Sequence, residues 1–205
     1  MSQARAALGY AIFSGAMAAS RFGGDALRAR YSEQGLLRFG AGIYLIVAIT
    51  HFDLWLRRRE GNGHLWLALA SASALLVDLT GIALSLAPSR GTPVLLGLNV
   101  LGVAGATASL LELVSALGRA PTGMWSRRLQ VATLVCAPIT AVLPQMTGAI
   151  LASCAILLVS SMTRAIQAAR LDRDSRVVAR AFLVLAVCLL ADLVKELFSL
   201  PIPDN

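Results

Sequence analysis

Long runs of apolar residues, separated by short polar segments, fill the chain from residue 36 onward. A transmembrane helix needs about 20 mainly apolar residues, and most of the runs approach or exceed this length. Pro138 and the segment 144–148 divide one stretch that is too long for a single helix. We therefore predict an all-α, polytopic transmembrane helix bundle with six spans, at about residues 36–56, 64–87, 93–117, 129–143, 147–168 and 176–200.

The first 35 residues differ from the rest, because their apolar run, 6–19, is short for a span and a polar linker follows it. Ala16-Met17-Ala18 has the A-x-A pattern of a signal-peptide cleavage site. We expect a retained N-terminal hydrophobic helix that either spans the membrane or lies at its interface, and a cleaved signal is the alternative. Residues 1–205 are treated as a single integral membrane domain, with the helix bundle at 36–200.

The composition agrees with this pattern, since 57% of the residues are hydrophobic, 14% are charged and the mean hydropathy is +0.72. Soluble domains have about 25% charged residues. The net charge of +7 comes mainly from arginines in short loops, where membrane topology and lipid headgroups explain them better than nucleic acid does. The three cysteines are dispersed within apolar runs. We expect membrane lipids as partners, and no nucleic acid, metal or cofactor.

The loops at the two ends of the predicted spans differ in their arginine content. One end receives eleven arginines and the other end five, so the positive-inside rule places the first end in the cytoplasm. The chain end after the last span would then lie outside. The residues that anchor this orientation are a cluster of arginines and the tryptophans at the same boundary: Arg57, Arg58, Arg59, Trp55, Trp66 and Trp125.

Polar residues inside the spans follow one face of a helix. An ionisable residue in a span costs about 2.5–3.5 kcal/mol on insertion scales, so it usually faces the bundle interior. In the second, third and last spans, small and polar residues recur every three or four positions. They are Ser71, Ala74, Asp78, Gly81 and Ser85; then Asn99, Gly102, Ala106, Ser109 and Glu112; and then Cys188, Asp192, Lys195 and Ser199. We expect these three helices to meet around a shared interior.

The outer half of this interior holds the candidate residues of a ligand or proton site, which are Asp78, Asn99, Asp192, Lys195 and Glu196. Lys195 is the only lysine of the chain. A buried ammonium group needs a carboxylate partner, so we predict a salt bridge from Lys195 to Asp78 or Asp192. The alternative is that these groups only fix the helix register, or that Lys195 extends to the outer interface.

A second polar cluster, His51, Asp53 and Glu112, lies near the inner boundary. A zinc site needs more nitrogen or sulfur ligands than this cluster supplies. A haem site would need two facing histidines, and His64 begins a different helix. We interpret His51 as a cap of its helix end, near Asp53 and Arg57, with a pH-responsive group as the alternative.

The span that ends in His51-Phe52-Asp53-Leu54-Trp55-Leu56-Arg57-Arg58-Arg59 is followed after a few residues by His64-Leu65-Trp66-Leu67-Ala68-Leu69. With the segment 176–203, which has a basic start and a terminal Leu-Pro, this hairpin resembles the membrane region of bacterial seven-transmembrane signalling receptors with diverse intracellular signalling modules. The resemblance covers roughly residues 36–203. It implies a sensory module of the bacterial inner membrane with a small-molecule or lipid input, and it supplies no catalytic residues. Such receptors continue into one more span and an output module, so the sequence corresponds to a fragment or to a stand-alone relative.

No motif of an enzyme active site is present in the sequence: it has no G-x-S-x-G, H-E-x-x-H or G-x-G-x-x-G pattern and no Walker loop. We therefore expect a non-enzymatic signalling module that responds to a small ligand, a lipid or protonation by repacking its helices. Two alternatives remain. One is a small transporter or channel component that uses the same polar stripes, and the other is a structural subunit of a larger membrane complex or a homo-oligomer.

Overall fold

The computed structural model describes residues 33–58, 62–86, 92–118, 121–170 and 173–199. Within these ranges all regular secondary structure is helical and no strand occurs, which confirms the all-α prediction. The six α-helices are α1 (Glu33–Arg58), α2 (Gly63–Leu86), α3 (Thr92–Leu117), α4 (Met124–Cys136), α5 (Thr147–Ala168) and α6 (Arg173–Ser199). The predicted N-terminal helix lies outside the described residues.

Most helix bounds follow the apolar runs closely, but three helices begin earlier than predicted, among them α6, which begins at Arg173 rather than near residue 176. Helix α1 begins at Glu33, within the segment that we predicted as a polar linker, and α4 begins at Met124 rather than near residue 129. Both helices extend past the apolar run because polar and aromatic residues can also continue a helix. Helix α4 also ends early, at Cys136, because Pro138 lacks the N–H that a further α-helical turn requires.

Two short 3-10 helices, Ala137–Ala141 and Pro144–Met146, connect α4 to α5. Each begins with a proline in its first turn, where a missing N–H is tolerated. The first packs closely against α3, where a Cβ at Gly97 would come within 2.9 Å of the Ala141 Cβ. The prediction of a break near residues 144–148 therefore corresponds to a change of helix type followed by a new α-helix.

Three segments are long and apolar enough to cross a membrane: Gly63–Leu84, Thr92–Ala116 and Pro144–Ala168. Six spans were predicted, so length and composition support half of them. Helix α4 has only 13 residues. Within the described side chains of α6 the apolar segment is Phe182–Val194, and the side chains that flank it, like those of residues 33–39 in α1, lie outside the described part of the structure.

Helix α3 is the centre of the packing, since it contacts α2, α4, α5 and the first 3-10 helix, while α1 packs on α2 and α6 packs on α5. Glycines allow the close approach of α2 and α3. A Cβ on Gly102 would lie 2.7 Å from a Val77 methyl group, and a Cβ on Gly105 would lie 2.5 Å from the Ser73 hydroxyl. Small residues at a helix interface permit this backbone proximity.

Candidate functional site

A cavity of about 430 Å³ lies among α1, α2, α3, α5 and α6. Pockets for small molecules typically measure about 300–1,000 Å³ and are mainly apolar. The wall of this cavity is mainly apolar as well, and the side chains with polar atoms are those of Tyr44, Asp78, Asn99, Thr107, Thr147 and Asp192. Three of the five residues that the sequence singled out as a ligand or proton site thus line one space, although they come from three different helices.

Asn99 fixes the position of α3 against α2 at this cavity. Its side-chain nitrogen donates to the Thr80 hydroxyl at 2.9 Å and to the Val77 carbonyl at 3.3 Å. Both amide hydrogens are therefore engaged. The other polar atom of its side chain is the carbonyl oxygen, which can only accept a hydrogen bond.

The two carboxylates reach the cavity from different surroundings. Asp78 is partly buried on α2, and a Cβ added to Gly40 of α1 would lie 3.1 Å from its Oδ2 atom. The missing side chain at Gly40 therefore makes room for the Asp78 carboxylate. Asp192 lines the cavity from α6 and is exposed. Each of the two residues has an interaction of its own.

Thr147 was not singled out in the sequence. It is the first residue of α5, only 6% of it is exposed, and its hydroxyl has no hydrogen-bond partner among the described residues. The signal in the sequence was the proline break just before it, which suggests a helix start. A threonine at a helix start is expected to cap the helix, but here the N-cap is Met146.

The remaining members of the predicted stripes line the cavity, are buried in helix contacts, or lie outside the described part of the structure. Ala74, Gly81 and Ala106 line the cavity, whereas Ser71, Ser109 and Cys188 are buried. The side chains of Lys195 and Glu196 lie outside the described part of the structure, so the salt bridge from Lys195 to Asp78 or Asp192 stays a prediction.

The inner-boundary cluster has a different arrangement from the one that the sequence suggested. Nδ1 of His51 lies 3.0 Å from Nδ1 of His64, and the two rings stack with centroids 5.2 Å apart. The sequence interpretation had set His64 apart as the start of another helix. Asp53 pairs with Arg57 one turn later, at 2.8 Å on an exposed surface. Glu112 is partly buried on α3, and within the described residues no hydrogen bond or ion pair joins it to His51 or Asp53.

The three tryptophans of the predicted aromatic belt differ in exposure. Trp55 and Trp66 are partly buried, and Trp66 packs against the hydrophobic core. Trp125 is 76% exposed, and the Arg128 guanidinium lies 5.4 Å from the centre of its ring. The side chain of Arg58 and the whole of Arg59 lie outside the described part of the structure.

Among the described residues, no group of three or more His, Cys, Asp or Glu side chains could hold a metal ion. No known protein family, curated protein or solved structure matches the chain. Fold and site together define an all-helical protein with helices of membrane-crossing length and an internal cavity that is polar on part of its wall.

Proposed function

We propose that the protein is a membrane-embedded sensory module in which an occupant of the cavity changes the packing of the surrounding helices. One observation carries this proposal: residues from five helices, including Asp78, Asn99 and Asp192, line a single cavity large enough for a small molecule. An occupant that contacts two helix arrangements differently shifts the population between them. Protonation of a carboxylate at the cavity would act on the same helices.

Helix α6 is the element that an occupant would move. It packs against α5, and the cavity separates part of it from α2 and α3. Leu185, Leu189 and Leu193 of α6 line the cavity together with Asp192. A molecule in the cavity would therefore bear directly on α6, while α2 and α3 hold each other through their glycine contacts.

We further propose that all six helices cross the inner membrane of a bacterium. Apolar side chains also face outward on helices beyond the three candidate spans, as a lipid-facing surface would require. On α1 and α6 they are Leu45, Ile46, Ile49, Phe52, Leu56, Val184, Val187 and Val194. In water such contiguous surfaces would promote association.

The length of α4 fits this topology when its continuation is included. Its 13 residues extend about 20 Å at 1.5 Å per residue. The five-residue 3-10 helix that follows adds about 10 Å. Together they approach the hydrocarbon thickness of about 30 Å, and Val131, Val135 and Ile139 face outward along them.

A spin-label distance measurement tests the sensory proposal. The full chain, with its native cysteines replaced, carries labels at Leu79→Cys on α2 and Val187→Cys on α6, two exposed positions. Ala106→Trp places a permanent occupant in the cavity and should shift the distance distribution. Ala132→Trp, on the exposed face of α4, is the matched control and should not. An unchanged distance in the Ala106 variant would reject the proposal.

A second candidate is a small transporter, which the irregular backbone beside the cavity favours. Transporters often build their sites from interrupted helices, and the second 3-10 helix is followed directly by Thr147, which lines the cavity. Solute flux in proteoliposomes that is lost with Asp78→Ala would favour this candidate over the sensor. Stable co-purification with larger membrane proteins would instead favour a structural subunit.

A further inference from the structure

Three polar residues of the cavity, Asp78, Asn99 and Thr147, lie at one depth along the bundle. The hydrogen bonds of Asn99 to Thr80 and Val77 place it level with Asp78. Lower in the bundle, Arg164 of α5 donates to Ser115 of α3 at 3.2 Å, and the side chains of Thr107 and Cys154 are in hydrogen-bond contact. Each of these contacts pairs a residue of α3 with a residue of α5. Moving back by the same number of residues toward the start of both helices brings Thr147 of α5 level with Asn99 of α3.

The rest of the cavity wall is mainly apolar. It includes Ala70, Val103, Leu110, Leu151 and Leu185, together with the aromatic side chain of Tyr44. The Thr107 hydroxyl also belongs to this wall, but it donates to the carbonyls of its own helix. The 11 residues from Asn99 to Leu110 correspond to about 17 Å of helix. The cavity is therefore elongated, with one polar end and a mainly apolar remainder.

The groups at the polar end define the chemistry of the head that fits there. The Thr147 hydroxyl is buried without a partner, and such a group is costly unless something binds it. Asn99 offers only an acceptor oxygen, so a head must donate to it. The carboxylates of Asp78 and Asp192 would repel an anionic head. Both carboxylates also have interactions of their own.

We propose, on the basis of the sensory function above, that the cavity binds an uncharged single-chain amphiphile whose head is a hydroxyl group. The hydroxyl accepts from Thr147 and donates to Asn99, and the chain follows the apolar wall toward Leu110 and Leu151. An uncharged head also avoids the cost of burying a new charge within the membrane. A linear alcohol of about ten carbons is the simplest member of this class.

Photolabelling tests the proposal with a decanol that carries a diazirine near the end of its chain. The full chain in phosphatidylcholine nanodiscs is irradiated, and the labelled residues are located by mass spectrometry. We expect labels on the apolar wall near Leu110, Leu151 and Leu185, and we expect unlabelled decanol to compete. Labels confined to lipid-facing residues such as Ile156 would overturn the proposal.

Matched variants and competitors test the head group. Thr147→Val removes the hydroxyl and should weaken binding roughly three- to tenfold, the effect of one hydrogen bond. Thr147→Ser keeps the hydroxyl and should restore binding. Thr163→Val, at an exposed threonine of the same helix whose hydroxyl donates to the Ser160 carbonyl, should leave binding unchanged. Equal binding to the Thr147→Val variant, or competition by decanoate or decylamine as strong as that by decanol, would overturn the proposal.

Failure of this inference is distinguishable from failure of the sensory function. If Ala106→Trp moves α6 but the alcohol does not label the cavity, the ligand class is wrong and the sensory function stands. If the alcohol labels the cavity and Thr147→Val weakens the labelling while the helix distance stays fixed, the ligand site stands and the sensory function is wrong.

Discussion

Nδ1 of His51 and Nδ1 of His64 lie 3.0 Å apart, so these two residues join α1 to α2 beside the turn that connects the helices. One nitrogen must donate and the other must accept, which requires at least one neutral ring. A second proton would remove the acceptor and place two positive rings in contact. The pair therefore holds the first helix hairpin together only while it carries at most one positive charge.

Acidification from pH 8 to pH 5 should lower the melting temperature of the reconstituted protein. Unpaired histidines take up protons near about pH 6.5, so the unfolded chain binds more protons than the paired native state below that pH. Stability then falls as the pH falls. Asp53 and Arg57, the nearby exposed ion pair, should contribute little.

The control for this prediction is the double variant His51→Phe/His64→Phe, in which the aromatic stacking is kept and the titrating groups are lost. Its melting temperature should vary less between pH 8 and pH 5. A wild-type profile as flat as that of the variant would contradict the role assigned to the histidine pair.

Two glycine substitutions should have opposite effects on stability. Gly102→Ala would force Val77 and the Ser73 backbone away from α3 and should destabilise the protein by about 1–3 kcal/mol. A Cβ at Gly42 would meet nothing within 4 Å, so Gly42→Ala should stabilise α1 by up to about 1 kcal/mol. Unfolding in mixed micelles measures both, and equal effects would contradict the close α2–α3 contact.

Arg164 should be the arginine whose loss most affects the loop between α3 and α4. It donates to the Ser115 hydroxyl at 3.2 Å and to the Pro121 carbonyl at 3.0 Å. Arg164→Met should therefore cost about 1–3 kcal/mol and increase proteolysis near residue 121. Arg170→Met, at an exposed arginine just after the end of α5, serves as the control. A similar effect from both variants would indicate a general loss of charge instead.

Labelling of introduced cysteines should place the two exposed connections on opposite sides of the membrane. In a background without native cysteines, Gln145→Cys should react with an impermeant maleimide added to intact cells. Gly123→Cys should react only after the cells are opened. Both positions are exposed, so access to the reagent decides the outcome. Labelling of Gly123→Cys in intact cells would invert the topology derived from the arginines.

The helices were predictable because each apolar run is a local property of the sequence, and α2, α3 and α5 lie within a residue or so of the predicted bounds. The stripes were also informative, since a spacing of three or four places residues on one helix face. Asp78 and Asn99 accordingly line the same cavity.

The contacts between helices were not predictable in the same way. The approach of His51 to His64, and the burial of Thr147 beside the cavity, depend on how the helices rotate and cross. The spacing of residues along a single helix determines neither the rotation of that helix about its axis nor the angle at which it crosses its neighbours. The extent of α4 was missed for another reason, since its first turn contains Trp125 and Arg127, which an apolar pattern does not include.

The glycines between α2 and α3 have a mechanical consequence. At Gly102 and Gly105 the two backbones are so close that a shift of one helix by a single residue would bring side chains into the space of Ser73 and Val77. Helices α2 and α3 therefore cannot slide along each other and behave as one rigid unit. Helix α6, which has the cavity on one side, has room to tilt. Under the sensory function proposed above, the movement that transmits the signal would be a tilt of α6 relative to α2 and α3.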